Sequence, residues 1–185
     1  MKPNQKALVE GISKEIIDSL LQRVEKNSFS IDKVVDELVA KHCSELDSYV
    51  LFVRECLLDK DRPPTAEELD DFVLNLPVLI YWAGDGQETL GIRQSIAEAI
   101  EKEAFNVAYE AANAGKNTIN DKTAAAQQLS MGESITSIVY KRAFRKIKAR
   151  VEIASELLTA VKKVISRRMQ EYELSGYNPD KIKNN

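Results

Sequence analysis

One histidine and two cysteines are all that this sequence offers by way of soft metal ligands and redox-active groups. Cys43 and Cys56 stand thirteen residues apart on what reads as one helix. Helical rise then separates them by about 20 Å, so they do not pair with each other. With no Cys-x-x-Cys spacing, neither a disulfide scaffold nor a zinc site is expected, and both thiols read as half-buried apolar residues in a reducing cytosol. His42 lies beside an apolar stripe with no acid or second ligand at a helical i, i+4 position, which makes it structural. Gly-Lys-Ser/Thr occurs nowhere, so there is no Walker A loop. Gly84-Asp85-Gly86 fails as an EF-hand: counted from Asp85, the sixth and twelfth positions are Leu90 and Ile96, where Gly and Glu are needed. The longest purely apolar run, Val78–Ala83, is too short to span a bilayer, and Met1–Glu10 lacks the apolar core of a signal peptide. A cytoplasmic protein is the expectation.

Catalytic sets are missing as well. Glu98, Glu101 and Glu103 are spread around an amphipathic helix with no His or Cys beside them, so they read as a solvated face. No nucleophile, base and oxyanion donors can be assembled. The chain is therefore expected not to be an enzyme and to hold no cofactor and no metal.

What is present is an ordinary soluble composition with an uneven charge. The 185 residues are 44% apolar and 30% charged, with a net charge of −3. From Thr65 to Tyr140 twelve acids face four bases, whereas from Lys141 to Asn185 twelve bases face five acids. Such polarity serves either pairing of acidic helices with a basic one or a basic flank kept free for an anionic partner.

Helical periodicity runs along nearly the whole chain. Leu8, Val9, Ile12, Ile16, Ile17, Leu20, Leu21 and Val24 form a first stripe. Asn27–Ser30 reads as a break with Ser30 as N-cap, followed by a second helix over about Ile31–Asp59. Arg62-Pro63-Pro64 ends that pair, and Thr65-Ala66-Glu67-Glu68 is a capping box that starts the next helix. Pro77 predicts a kink or restart, and Val78–Trp82, with no second strand to pair with, reads as a buried helical turn. Gly84–Gly86 reads as a connecting loop. Ile92, Ile96, Ala99, Ile100, Glu103, Val107 and Ala111 then line one face of a helix whose alanines suit close packing. Gly115-Lys116-Asn117 makes a C-cap and turn, a short helix capped by Thr118 or Asn120 follows, and Gly132 separates it from the last helix.

That last helix, about Glu133–Tyr172, dominates. Gly and Pro are absent between Gly132 and Gly176, and Phe144, Ile147, Val151, Ala154, Leu158, Val161, Ile165 and Tyr172 form a seam in steps of three and four. Roughly 40 residues would reach about 60 Å, more than a small core covers, so another helix or another subunit must cover part of the seam. Lys141, Arg142, Arg145, Lys146, Lys148 and Arg150 crowd one window, and Lys162, Lys163, Arg167 and Arg168 follow. With Val151 at position a of a heptad, only Arg168 among these falls on a or d. The flank is either a solvated bundle face or a track for phosphates. Tyr140 and Phe144 are its only interleaved aromatics, and packing claims Phe144.

The order of segments from about Glu101 to Arg168 resembles the UvsY-type recombination mediators of tailed phages. The resemblance is carried by Tyr109-Glu110-Ala111-Ala112-Asn113, the Gly115-Lys116 turn, the helix from Asp121-Lys122, Tyr140, and Lys162-Lys163 with Arg167-Arg168. It implies a ring-like helical homo-oligomer in the host cytosol that binds single-stranded DNA without sequence preference. It also implies help in loading a recombinase onto strands held by a single-strand-binding protein, with Lys116 and Lys122 touching the strand.

The resulting expectation is an all-α helical bundle with a long C-terminal helix. It divides into an N-terminal pair (1–62), a middle segment (63–132), the basic amphipathic helix (133–173) and a tail (174–185). Lys116, Lys122, Lys141, Arg142, Arg145, Lys146, Lys148 and Arg150 are the nucleic-acid candidates; Ile147, Val151, Ala154, Leu158, Val161 and Ile165 are the homo-oligomer candidates. The alternative is a phage structural or assembly protein without nucleic acid. The two differ in whether Lys141–Arg150 is free or neutralised by acids such as Glu67, Asp70, Asp71, Glu98 and Glu101.

Overall fold

A computed structural model of the chain describes the backbone of residues 3–113 and 118–176, and the side chains of 28–112 and 118–174 with those of Gln22 and Glu25. The expected stripe from Leu8 to Val24, the Gly115-Lys116-Asn117 turn and the segment beyond 176 lie outside the described side chains. Among the described residues there are four helices and no strand: α1 (Pro3–Leu58), α2 (Ala66–Asn113), α3 (Ile119–Leu129) and α4 (Met131–Gly176). The all-α expectation holds, and the run from Val78 to Trp82 is helical, but it is not the buried turn expected: Val78, Tyr81 and Trp82 are exposed.

Two expected breaks, at Asn27–Ser30 and Gly84–Gly86, do not occur, and the helix does not restart at Pro77. α1 runs unbroken through Asn27–Ser30. Ser28 Oγ donates back to the Glu25 carbonyl at 3.1 Å, so this hydroxyl serves a helix interior instead of freeing the backbone for a new start. Pro77 lies inside α2, exposed between buried Leu76 and a continuing helix. A proline there forfeits one ladder bond at a cost of about 3 kcal/mol. One turn earlier the Asp71 carbonyl accepts extra bonds from Asn75 Nδ2 at 2.9 Å and Tyr49 Oη at 3.2 Å, while burial of Phe72 and Leu76 on either side anchors the segment. The Gly84–Gly86 connector is helix too, and no described glycine has a positive φ. Gly86 is buried where α2 meets His42 of α1, so its missing side chain serves close packing.

The true ends carry the chemistry the sequence announces. Glu68 N–H donates to Thr65 Oγ1 at 3.1 Å and Thr65 N–H to Glu68 Oε2 at 2.8 Å, closing the first capping box. Thr118 and Asp121 form the second at the start of α3. Ser130, two residues before Gly132, makes the turn into α4: its N–H and Oγ both reach the Ala126 carbonyl, and its own carbonyl receives the Ser134 N–H.

The helices contribute to two compact units, each discontinuous in sequence. The first comprises 1–38 with 94–143, and its described core is built of small side chains: Val35, Ala97, Ala108, Ala126 and Ala143. The second comprises 39–93 with 144–185. Its core joins Val53 of α1, Leu69, Phe72 and Leu76 of α2 and Val161 of α4, ringed by Tyr49, Ile80, Leu158 and Ile165 among others. Each of these large side chains contributes about 1.5–3 kcal/mol by leaving water. Arg168, the one cation at a d position, extends past this core and donates from Nη1 to the Pro64 carbonyl at 2.6 Å, tying α4 to the link between α1 and α2.

Candidate interaction surfaces

Two features decide what this molecule presents to a partner: where the cations of α4 point, and which face of α2 is covered. Among the clustered cations, Lys141, Arg142 and Arg150 meet acids from other helices. In the first unit, Lys141 Nζ lies 3.8 Å from Glu98 of α2 and Arg142 donates to Asp32 of α1 at 3.0 Å. In the second, Arg150 Nε lies 2.7 and 2.9 Å from the two carboxylate oxygens of Asp47. Lys148 sits 3.9 Å from Glu152 one turn along α4. Glu98 was anticipated as an acid partner, whereas Asp32 and Asp47, on α1, were not. No local signal could have indicated them, since their partners stand more than a hundred residues away in sequence.

The remaining cations are distributed differently. Arg145, Lys146, Lys162 and Lys163 are exposed, and Arg145, Lys162 and Lys163 make no ion pair among the described residues. Lys122 is half-buried in the first turn of α3, and Lys116 lies outside the described residues. Tyr140 is half-buried, and Phe144 packs over Gly91, as the seam required.

From Phe144 to Ile165 the seam is covered by this chain's own helices, while Tyr172 at its end is exposed. Ile147, Ala154 and Val161 are fully buried, and Val151, Leu158 and Ile165 are partly so, with Leu158 and Ile165 packed on the core cluster.

α2 carries its apolar residues on two faces. Leu69, Phe72, Leu76, Ala83, Leu90 and Ala97 are buried. Leu74, Val78, Tyr81, Ile92, Ile96, Ile100 and Val107 are exposed. At roughly 100° per residue Leu74, Val78, Tyr81 and Ile92 fall on the side of α2 away from Leu69–Leu90, while Ile96, Ile100 and Val107 lie about 100° around the helix from Ala97 and Ala108. The face singled out from Ile92 to Val107 is thus uncovered, and Ala97 and Ala108, around the helix from it, do the close packing. Tyr81 and Trp82 are 67% and 62% exposed, with ring centroids 5.5 Å apart in an edge-on arrangement.

Within the second unit α1 and α2 bound a shallow groove. One part, about 540 Å³, is lined by Ser44, Glu45, Ser48, Tyr49, Phe52 and Leu79. An adjoining part of about 260 Å³ shares Ser44, Glu45 and Leu79 and reaches Lys41, His42, Trp82 and Asp85. Burial, then the charges of Lys41 and Arg93, push the His42 imidazole below its ordinary pKa, with Asp85 opposing. Below the groove, burial and the Asp47 carboxylate push the Cys43 thiol up to about 11 against the pull of Arg150, which leaves it protonated and unreactive at neutral pH. In the first unit a hollow of about 580 Å³ is lined by Glu98, Glu101, Lys102, Phe105, Ser130 and Ser134, where Ser134 Oγ donates to Glu101 at 2.7 Å.

Among the described residues no group of His, Cys, Asp and Glu side chains is placed to hold a metal, and no helix is long and apolar enough to cross a membrane. These surfaces have to be read from their own chemistry, because no family model, no curated protein and no solved structure matches this chain.

Proposed function

We propose that this chain is a non-catalytic helical assembly protein, acting through apolar helix faces that bind other protein. The observation that carries this reading is the contrast between the two surfaces. Lys141, Arg142 and Arg150 are engaged by Glu98, Asp32 and Asp47 of the same chain, while α2 leaves a second apolar face, crowned by Tyr81 and Trp82, in water. Exposed apolar patches of this kind mark protein contacts, and aromatic side chains dominate the energetics of such contacts.

The second reading is a single-stranded-DNA-binding accessory factor of phage-type recombination that loads a recombinase. It is favoured by Arg145, Lys162 and Lys163, which are exposed without an ion pair among the described residues. Arg145 and Lys163 share a face about 27 Å apart along the axis, enough to follow several phosphates. Glu152 and Glu156 lie between them on the same helix and weaken that track.

Fluorescence anisotropy with a labelled single-stranded oligonucleotide across a salt series separates the two. The assembly reading expects no binding at low salt. Binding that falls steeply with salt and collapses in Arg145→Glu/Lys162→Glu/Lys163→Glu would replace it with the second reading.

A further inference from the structure

We propose that the occupant of the α1–α2 groove in the second unit is a second copy of this chain, packed about a two-fold axis. The inference rests on the assembly reading and names its partner.

The groove and its neighbouring crest are the two halves of one contact. Its floor is Leu79 and Tyr49, its small wall is Ser44 and Ser48, and Phe52 and Trp82 stand at its edges. Immediately outside the α2 wall, by helical register, rise Leu74, Val78 and Tyr81, all exposed. An isologous contact requires a surface that complements itself, so that what one subunit inserts the other receives at the symmetric place. A hollow beside a ridge on one face supplies both parts: the Val78 and Tyr81 crest of each copy fits the serine-walled groove of the other.

Area and charge agree with this occupant. Aromatic side chains cover about 150–250 Å² each, so the exposed parts of Phe52, Tyr81 and Trp82 come to roughly 350 Å². Leu74 and Val78 bring the patch to about 500 Å², near the largest that monomers ordinarily leave in water. Two such patches face to face remove about 1,000 Å² before any polar rim is counted, the least area a specific interface needs, and the rim brings it toward the stable range. Lys41 and Glu45 on the α1 wall and Asp85 on the α2 wall give the groove both signs. A copy approaching it therefore meets no uniform field of its own charge, as it would against the α4 cations.

Trp82 is the chain's one tryptophan, so its emission reports this surface without modification. Sedimentation velocity of the full chain over a concentration series, with tryptophan emission and acrylamide quenching read on the same samples, tests the proposal. The expected result is a monomer–dimer equilibrium in which dimer formation shifts Trp82 emission to the blue and shields it from quencher. Leu74→Lys/Val78→Lys, at exposed positions that leave the core intact, should keep the helical circular dichroism and weaken the dimer by roughly 100-fold. A chain that stays monomeric at high micromolar concentration with quenchable Trp82 overturns the second-copy proposal. A dimer whose Trp82 remains quenchable, or one indifferent to the lysine pair, overturns it equally, because the contact then lies elsewhere. None of these outcomes depends on the oligonucleotide titration, which alone decides the assembly reading.

Discussion

A methyl group placed on Gly86 would lie 2.5 Å from Nδ1 and 2.8 Å from Cβ of His42. The second distance matters more, because Cβ is fixed to the α1 backbone and cannot swing aside. Gly86→Ala therefore has to push α1 and α2 apart, and overpacking of this kind costs about 1–3 kcal/mol. Gly84, two residues earlier, has nothing within 4 Å of its would-be Cβ. Gly84→Ala should stabilise the chain by about 0.5–1 kcal/mol through helix propensity. Urea denaturation of the two variants should move the midpoint in opposite directions, and His42→Ala should recover part of the Gly86→Ala loss. Equal, small shifts would show that the helices do not approach so closely here.

His42 also makes stability depend on pH. Its folded pKa is pushed below the ordinary 6.5, by burial first and then by Lys41 and Arg93, with Asp85 opposing. The unfolded chain thus binds the proton more readily, and stability rises with pH across this interval. The contribution is complete above the unfolded pKa and is lost as pH falls from about 6.5 through the lower folded value. Thermal melts between pH 7.5 and pH 5 should show the wild type losing more Tm on acidification than His42→Gln. Parallel curves for the two proteins would remove His42 as the cause.

Arg150 and Asp47 form an ion pair between α4 and α1, with Nε facing both carboxylate oxygens and each side chain little more than a third exposed. Pairs at this degree of exposure are worth about 0.2–1 kcal/mol, and here one Nε–H is shared between both oxygens without the second parallel bond of an Arg–carboxylate fork. A double-mutant cycle with Asp47→Ala and Arg150→Ala should return that coupling, diminished by added salt, while Arg145→Ala should change stability by less than about 0.5 kcal/mol. A coupling near zero would mean that the pair is only geometric.

Much of the architecture is legible in local chemistry. α4 could be read as one helix because nothing between Gly132 and Gly176 breaks it, and the start of α2 follows from Thr65-x-x-Glu68; for α3 the sequence left Thr118 and Asn120 both open as caps, and the structure selects Thr118, boxed with Asp121. The false breaks share one cause. Asn27–Ser30, Pro77 and Gly84–Gly86 are weak or costly in an isolated helix, but burial along the flanks of the last two outweighs a penalty of about 1–3 kcal/mol. For Gly86 the supposed turn residue turns out to be a contact residue, distinguishable only by what packs against it.

The amino-acid sequence by itself determined the helical character, the capping of α2, the seam of α4 and the absence of any Cys-x-x-Cys or Walker pattern, since each depends on residues within a few turns of one another. Tertiary structure alone decided which of the two apolar faces of α2 is buried. Periodicity marks Leu90 and Ile92 alike as apolar, and only packing against α1 and α4 leaves the first in the core and the second in water. It also decided that Arg142 and Arg150 meet Asp32 and Asp47. Such pairs join residues more than a hundred positions apart, and their strength depends on distances in space that no local pattern contains.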